Sequence, residues 1–127
     1  MMTPDLRLLA YSALLTWVMI LVASTLRAKG AVMVAFGNRE AMPEPSPLAG
    51  RADRAAKNML ENMILFTAVV VAAHGAADHD RVVLGARVFF WARVVYWPLY
   101  LSGVKYARTA AWATGVGGCA LMLIAAL

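Results

Sequence analysis

Arginines, an amide and a carboxylate recur through residues 51–61 at intervals that a helix would turn into one face. Arg51, Arg54, Asn58 and Glu61 stand at i, i+3, i+7 and i+10, and at about 100° per residue they share a narrow arc. Further on, Arg93, Tyr96 and Tyr100 repeat the i, i+3, i+7 spacing, with Arg108 a short way beyond. Glu61 and Asn58 lie at the edge of an apolar run, where an ionised carboxylate costs roughly 2.5–3.5 kcal/mol unless it is paired or wet. The row therefore reads as a ladder of polar groups facing a shared cavity or a neighbouring helix. Arg93 is itself inside an apolar stretch and needs an anionic partner, for which Glu61 is the expected one. A plainer role fits the same residues: a helix start with snorkelling cations, and tyrosines in an aromatic belt at a membrane interface.

The elements that must hold these rows are read from hydropathy. Of the 127 residues 62% are hydrophobic, well above the roughly 45–50% of soluble domains, so lipid must cover part of the surface. One domain fits this length. Four apolar segments predict helices over about 6–28, 51–76, 81–104 and 108–126. Each is long enough to cross a hydrocarbon core of about 30 Å. The expected fold class is all-α, an integral membrane four-helix bundle. Residues 29–50 form the long first loop, where Pro43, Pro45 and Pro47 alternate and argue against a helical hairpin. Asp80 is placed to cap the third helix, and Pro98 to kink it.

The net charge of +5 and pI near 9.9 do not point to nucleic acid, because the cations gather in one loop and at helix ends. Arg27, Lys29, Arg39, Arg51, Arg54 and Lys57 cluster around the first loop, and Lys105 and Arg108 around the third. Those two loops are expected to be cytoplasmic, with both termini opposite, in a multi-pass protein of the cell inner membrane. The first apolar run, Leu8 to Leu26, is longer than a signal-peptide core and is followed by Arg27 and Lys29, so it is expected to remain as a spanning helix.

Other residues carry less. His74 and His79 lack a further ligand pattern, and no metal site is expected. Cys119 is a small apolar residue in an apolar run. Gly115, Gly117 and Gly118 read as a close-packing surface between helices. A small multidrug transporter of similar length would need an acid deep in its first helix, and none lies between Leu8 and Leu26.

The run Arg51-x-x-Arg54-Ala55-x-x-Asn58-x-x-Glu61 resembles the second-helix signature of the MAPEG family, the membrane-associated proteins in eicosanoid and glutathione metabolism. Ala92-Arg93-x-x-Tyr96-x-x-x-Tyr100 is similar to its third-helix motif. Gly37-Asn38-Arg39-Glu40 and Tyr96-Trp97-Pro98-Leu99-Tyr100 look most like the bacterial branch. The resemblance implies a homotrimer binding glutathione, as thiol co-substrate, between subunits near the cytoplasmic face. Arg51, Arg54, Asn58, Glu61, Arg93 and Tyr96 would then be its binding residues, with Arg108 and Tyr100 as the catalytic pair. Cations would meet the peptide's two carboxylates and Glu61 its ammonium, while an arginine beside the sulfur would favour the thiolate. The implied function is a glutathione-dependent transferase or peroxidase acting on hydrophobic electrophiles or lipid hydroperoxides dissolved in the bilayer. The alternative is a non-catalytic protein of the same fold that binds a lipid or another hydrophobic small molecule.

Overall fold

The computed structural model describes every residue except Gly30. Among the described residues there are five helices and no strand: α1 Pro4–Ala28, α2 Val32–Phe36, α3 Pro47–Ala73, α4 His79–Leu101 and α5 Tyr106–Ala126. Four of them, α1, α3, α4 and α5, are long and apolar enough to cross a membrane. The all-α, four-spanning bundle expected from hydropathy is therefore the fold, and α2 is an addition within the first loop.

The helix starts follow from local chemistry. Pro4 and Pro47 both occupy the first turn, where the missing N–H is one that would be unpaired anyway. Ser46 caps α3, its Oγ accepting from the Ala49 N–H at 3.1 Å. Pro47 thus begins a helix rather than breaking one, and α3 starts a turn ahead of Arg51. Asp78, not Asp80, caps α4: its Oδ1 accepts from the Arg81 N–H at 3.1 Å. Pro98 lies one turn from the end of α4, and its carbonyl accepts from the Ser102 N–H and hydroxyl as the chain turns at Gly103 (φ 78°).

The interior is partly polar and mixes alanines with a few large side chains, while many other large apolar side chains point outward. Leu14, Trp17 and Leu21 of α1, Ile64 and Val71 of α3, and Trp91 of α4 are exposed to the surroundings of the bundle. In a bilayer such side chains are free to meet lipid or a neighbouring copy, and the outward-facing Arg87 shares a row with Leu84 and Trp91. An arginine in such a row extends its guanidinium toward the headgroups. Inside, Ala49, Ala52, Ala55 and Ala56 bring α3 close to its neighbours. Deeper in, Phe66 stacks on Phe89 with centroids 3.9 Å apart. α4 is central, touching α1, α3 and α5.

At the end of the bundle where α3 finishes, Asp5 is fully buried and its Oδ2 lies 2.8 Å from His74 Nδ1. This bond ties the first turn of α1 to the C-cap of α3. Removing the imidazole leaves a buried carboxylate unpaired, so His74→Ala is expected to cost about 1–3 kcal/mol. His74→Ala, Asp5→Ala and the double variant, melted in one detergent, should show clear coupling between the two sites. Additive melting shifts would mean that the contact stabilises nothing.

Candidate functional site

The opposite end of the bundle, where α3 and α5 begin and α4 finishes, gathers most of the ladder residues. Arg93 is buried at 1% exposure, and its Nη2 donates to Asn58 Oδ1 at 2.8 Å. Its Nε points to Met59 Sδ at 3.2 Å, and its Cζ lies 4.1 Å from the Tyr96 ring centroid. The expected Arg93–Glu61 ion pair is absent. Arg93 meets an amide, a thioether and a π face instead, and among the described residues Glu61 forms no salt bridge. The physical reason is angular, because Asn58 and Glu61 differ by about 60° around α3, and only Asn58 faces α4.

That angular difference divides the whole ladder. Arg51 and Asn58 lie about two turns apart on the inner edge. Arg51 Nε donates to the Leu101 carbonyl at 2.8 Å, closing the C-terminus of α4 against α3. Arg54 and Glu61 form the outer edge, and both are exposed. Arg54 lines a cavity of about 380 Å³ under the first loop, together with Arg27, Arg39, Asp53 and Lys57. Asp53 is already paired with Lys57 at 2.8 Å, so the cavity keeps an excess of positive charge.

On the inner side, Asn58, Tyr96 and Arg108 line a second cavity, of about 160 Å³, with Thr109 and Trp112. Arg108 Cζ sits 4.4 Å from the Tyr100 ring centroid, and the Tyr96 and Tyr100 rings are 5.4 Å apart. Arg93, Tyr96, Tyr100 and Arg108 thus form a chain of two guanidinium–ring contacts joined by a ring–ring contact. Arg93 Nη1 and Trp97 Nε1 are buried donors without partners among the described residues. A buried donor left unpaired costs free energy that a bound acceptor recovers. The Arg108 guanidinium, with no carboxylate at this cavity, favours an anion.

Trp112 and Met59 escaped the sequence reading. Trp112 carried a signal, since it follows Arg108 by one helical turn and so shares its face. Met59 carried none, because a methionine in an apolar run looks like any core residue. Arg39 counts in the sequence only as a loop cation within the Gly37-Asn38-Arg39-Glu40 run, and the fold places it at the loop cavity, where its Nε bonds the Ala35 carbonyl at 2.8 Å. No group of histidine, cysteine or acidic side chains among the described residues has a metal-binding arrangement.

Four spanning helices around a polar, cationic end define a multi-pass membrane protein with one buried arginine at that end. The MAPEG family model matches residues 6–127, essentially the whole chain. The protein belongs to the MAPEG family, the membrane-associated proteins in eicosanoid and glutathione metabolism. No curated protein matches the chain individually.

Proposed function

We propose that the protein is a glutathione-dependent transferase or peroxidase acting on hydrophobic electrophiles or lipid hydroperoxides within the membrane. The observation that carries this reading is the convergence of Asn58, Tyr96 and Arg108, from three helices, on one cationic cavity. Arg108 would sit beside the sulfur and hold it as thiolate, with the Tyr100 ring beneath it as a platform. Asn58, Arg93 and Tyr96 would hold the peptide on the inner edge, with Arg51 securing the end of α4 behind them. Arg54 would meet a carboxylate and Glu61 the ammonium on the outer edge. In the transferase reaction the thiolate sulfur bonds to the electrophilic carbon while the leaving group departs with its bonding pair or, at an activated alkene, while the π pair moves to the neighbouring carbon, which then takes a proton. In the peroxidase reaction two thiols reduce a hydroperoxide to an alcohol and water, and leave as the disulfide.

A homotrimer completes the site in this proposal. Ligand pockets usually enclose about 300–1,000 Å³, so about 160 Å³ within one chain amounts to part of a pocket. Glu61, exposed on an apolar helix with no partner, supports the same conclusion, because a neighbouring subunit would cover it. The first and third loops face the cytoplasm of the inner membrane in this reading, which places the site where soluble glutathione is present.

A second reading is a lipid-binding protein without catalysis. It is favoured by a groove of about 340 Å³ lined by Val88, Trp91, Ala92, Val95, Ala111 and Thr114 on the outer side of α4 and α5. Calorimetry with glutathione separates the two. Wild type in detergent is expected to bind, and Arg54→Ala and Glu61→Gln to bind at least about tenfold more weakly, each losing a charge-assisted contact of about 1.5–3 kcal/mol. Binding unchanged in both variants would remove the proposed site. No binding by wild type, with lipid copurifying, would favour the second reading.

A further inference from the structure

The short helix α2 presents a surface that neither the bundle nor the proposed site uses. Val32, Met33 and Phe36 are 52%, 84% and 84% exposed, while Ala35 is buried. At about 100° per residue the three exposed side chains fall within an arc of about 100°, with Ala35 to one side of it and Val34 opposite. α2 therefore rests one side on the end of α1, which it contacts, and turns a wholly apolar side outward. Exposing a phenylalanine and a methionine this fully to water is unfavourable, so a partner of matching chemistry is required.

Position identifies that partner. α2 begins at Val32, directly after the membrane-spanning α1 ends at Ala28, so it stands at the level where that helix leaves the hydrocarbon. Arg27, Lys29 and Arg39 flank it on both sides. The loop is also folded to hold it there. Arg27 Nη1 donates to the Pro43 carbonyl, drawing the returning segment of the loop back to α1. Arg39, in the left-handed region at φ 62°, closes the C-terminus of α2 by bonding the Ala35 carbonyl. An apolar side bordered by cations at the edge of a spanning helix matches the boundary between acyl chains and headgroups, with anionic phosphates for the arginines.

We infer that α2 is an interfacial anchor that lies in the headgroup–acyl boundary of the leaflet at the end of α1, with Val32, Met33 and Phe36 immersed among the lipid chains. The anchor would fix the height of the loop carrying Arg39, and so the roof over the cavity that Arg27 and Arg54 line. It depends on neither glutathione binding nor catalysis.

Spin labels test it in lipid vesicles containing an anionic phospholipid. Single cysteines would replace Met33, Phe36, Asn38 and, as a control on the exposed side of α1, Leu14, in a Cys119→Ala background, or Cys119→Ser if the alanine variant does not purify. At positions 33 and 36, molecular oxygen is expected to reach the label as it does at 14. A water-soluble nickel chelate should reach them several-fold less than it reaches 38. Nickel accessibility at 33 and 36 equal to that at 38 would overturn the inference, showing the surface in water. Exclusion of both reagents from 33 and 36 would also overturn it, showing the surface covered by protein, a neighbouring copy included.

Discussion

Arg108→Ala is expected to lower thiol-dependent turnover about 10²-fold or more while changing glutathione affinity far less. The proposed role is local to the sulfur. A free cysteine thiol has a pKa near 8.5, so at neutral pH only a few per cent is the reactive thiolate. A guanidinium held beside it raises that fraction, and it stabilises negative charge at the reacting atom more strongly still in a water-poor site. The geometry favours Arg108 for this work over the other cations. Arg51 is committed to the Leu101 carbonyl, Arg93 is held by Asn58 and Tyr96, and Arg54 lines the loop cavity. Arg108 lies against the Tyr100 ring and lines the inner cavity, with no ion pair among the described residues. Arg108→Lys keeps the charge but loses the planar contact with the ring, and should fall between wild type and alanine. Tyr100→Phe keeps the platform and should retain most of the turnover if the ring alone matters. The measurements are the ultraviolet absorbance of bound thiolate and the steady-state rate, made on the same preparations. Thiolate signal and rate both at the wild-type level in Arg108→Ala would take the residue out of the chemistry.

The same arrangement shows what a sequence of this kind reveals and what it withholds. Charged and amide side chains inside apolar runs are conspicuous, so Arg93, Asn58 and Glu61 stand out from the sequence, and helical periodicity places them on related faces. Periodicity gives angles along one helix but does not identify the neighbour at each angle. An arc narrow enough to look like one face was divided by α4, which took Arg51 and Asn58 inward and left Arg54 and Glu61 outside. The Arg93–Glu61 pair failed for this reason, although its electrostatic logic was sound. Asp5 illustrates a different limit. An acid in the first turn of a helix is ordinary dipole chemistry, and only the arrival of His74 from the far end of α3 distinguishes it from a surface residue. Pro47 was legible in principle, since a serine followed by proline is a helix start as well as a loop feature. The alternation with Pro43 and Pro45 obscured it. Glycine spacing in the last helix points to close packing, which Gly115 and Gly118 make and the exposed Gly117 does not, while the partner glycine lies in another helix and has no sequence mark.

That partner makes the strongest stability prediction. Gly85 of α4 and Gly118 of α5 face each other so closely that a Cβ on either would lie 2.5 Å from the other's carbonyl oxygen. At Gly118 the added carbon would also meet the Phe89 backbone nitrogen at 2.9 Å, and at Gly85 the Met122 side chain at 2.5 Å. Because the obstruction at Gly118 is backbone, no change of side-chain rotamer relieves it and the helices must separate. Adding a methyl group to a packed interior costs about 1–3 kcal/mol, and a backbone clash belongs toward the upper end. Gly118→Ala and Gly85→Ala are therefore each expected to lower the melting temperature in detergent by several degrees. Gly117 is the matched control on the same helix: nothing lies within 4 Å of its added Cβ, so Gly117→Ala should melt like wild type or slightly above it, given alanine's better helix propensity. The effect should also reach the cavity, since α5 carries Arg108, Thr109 and Trp112 as one wall while Tyr96 and Asn58 stand on the other helices. Moving α5 away from α4 opens the Arg108–Tyr100 contact without altering a residue of the site. Gly118→Ala should thus lose thiolate formation along with stability, whereas Gly117→Ala should keep both. Equal melting of the two variants would mean that the α4–α5 crossing is loose enough to absorb a methyl group, and that the position of Arg108 is set by something other than this glycine contact.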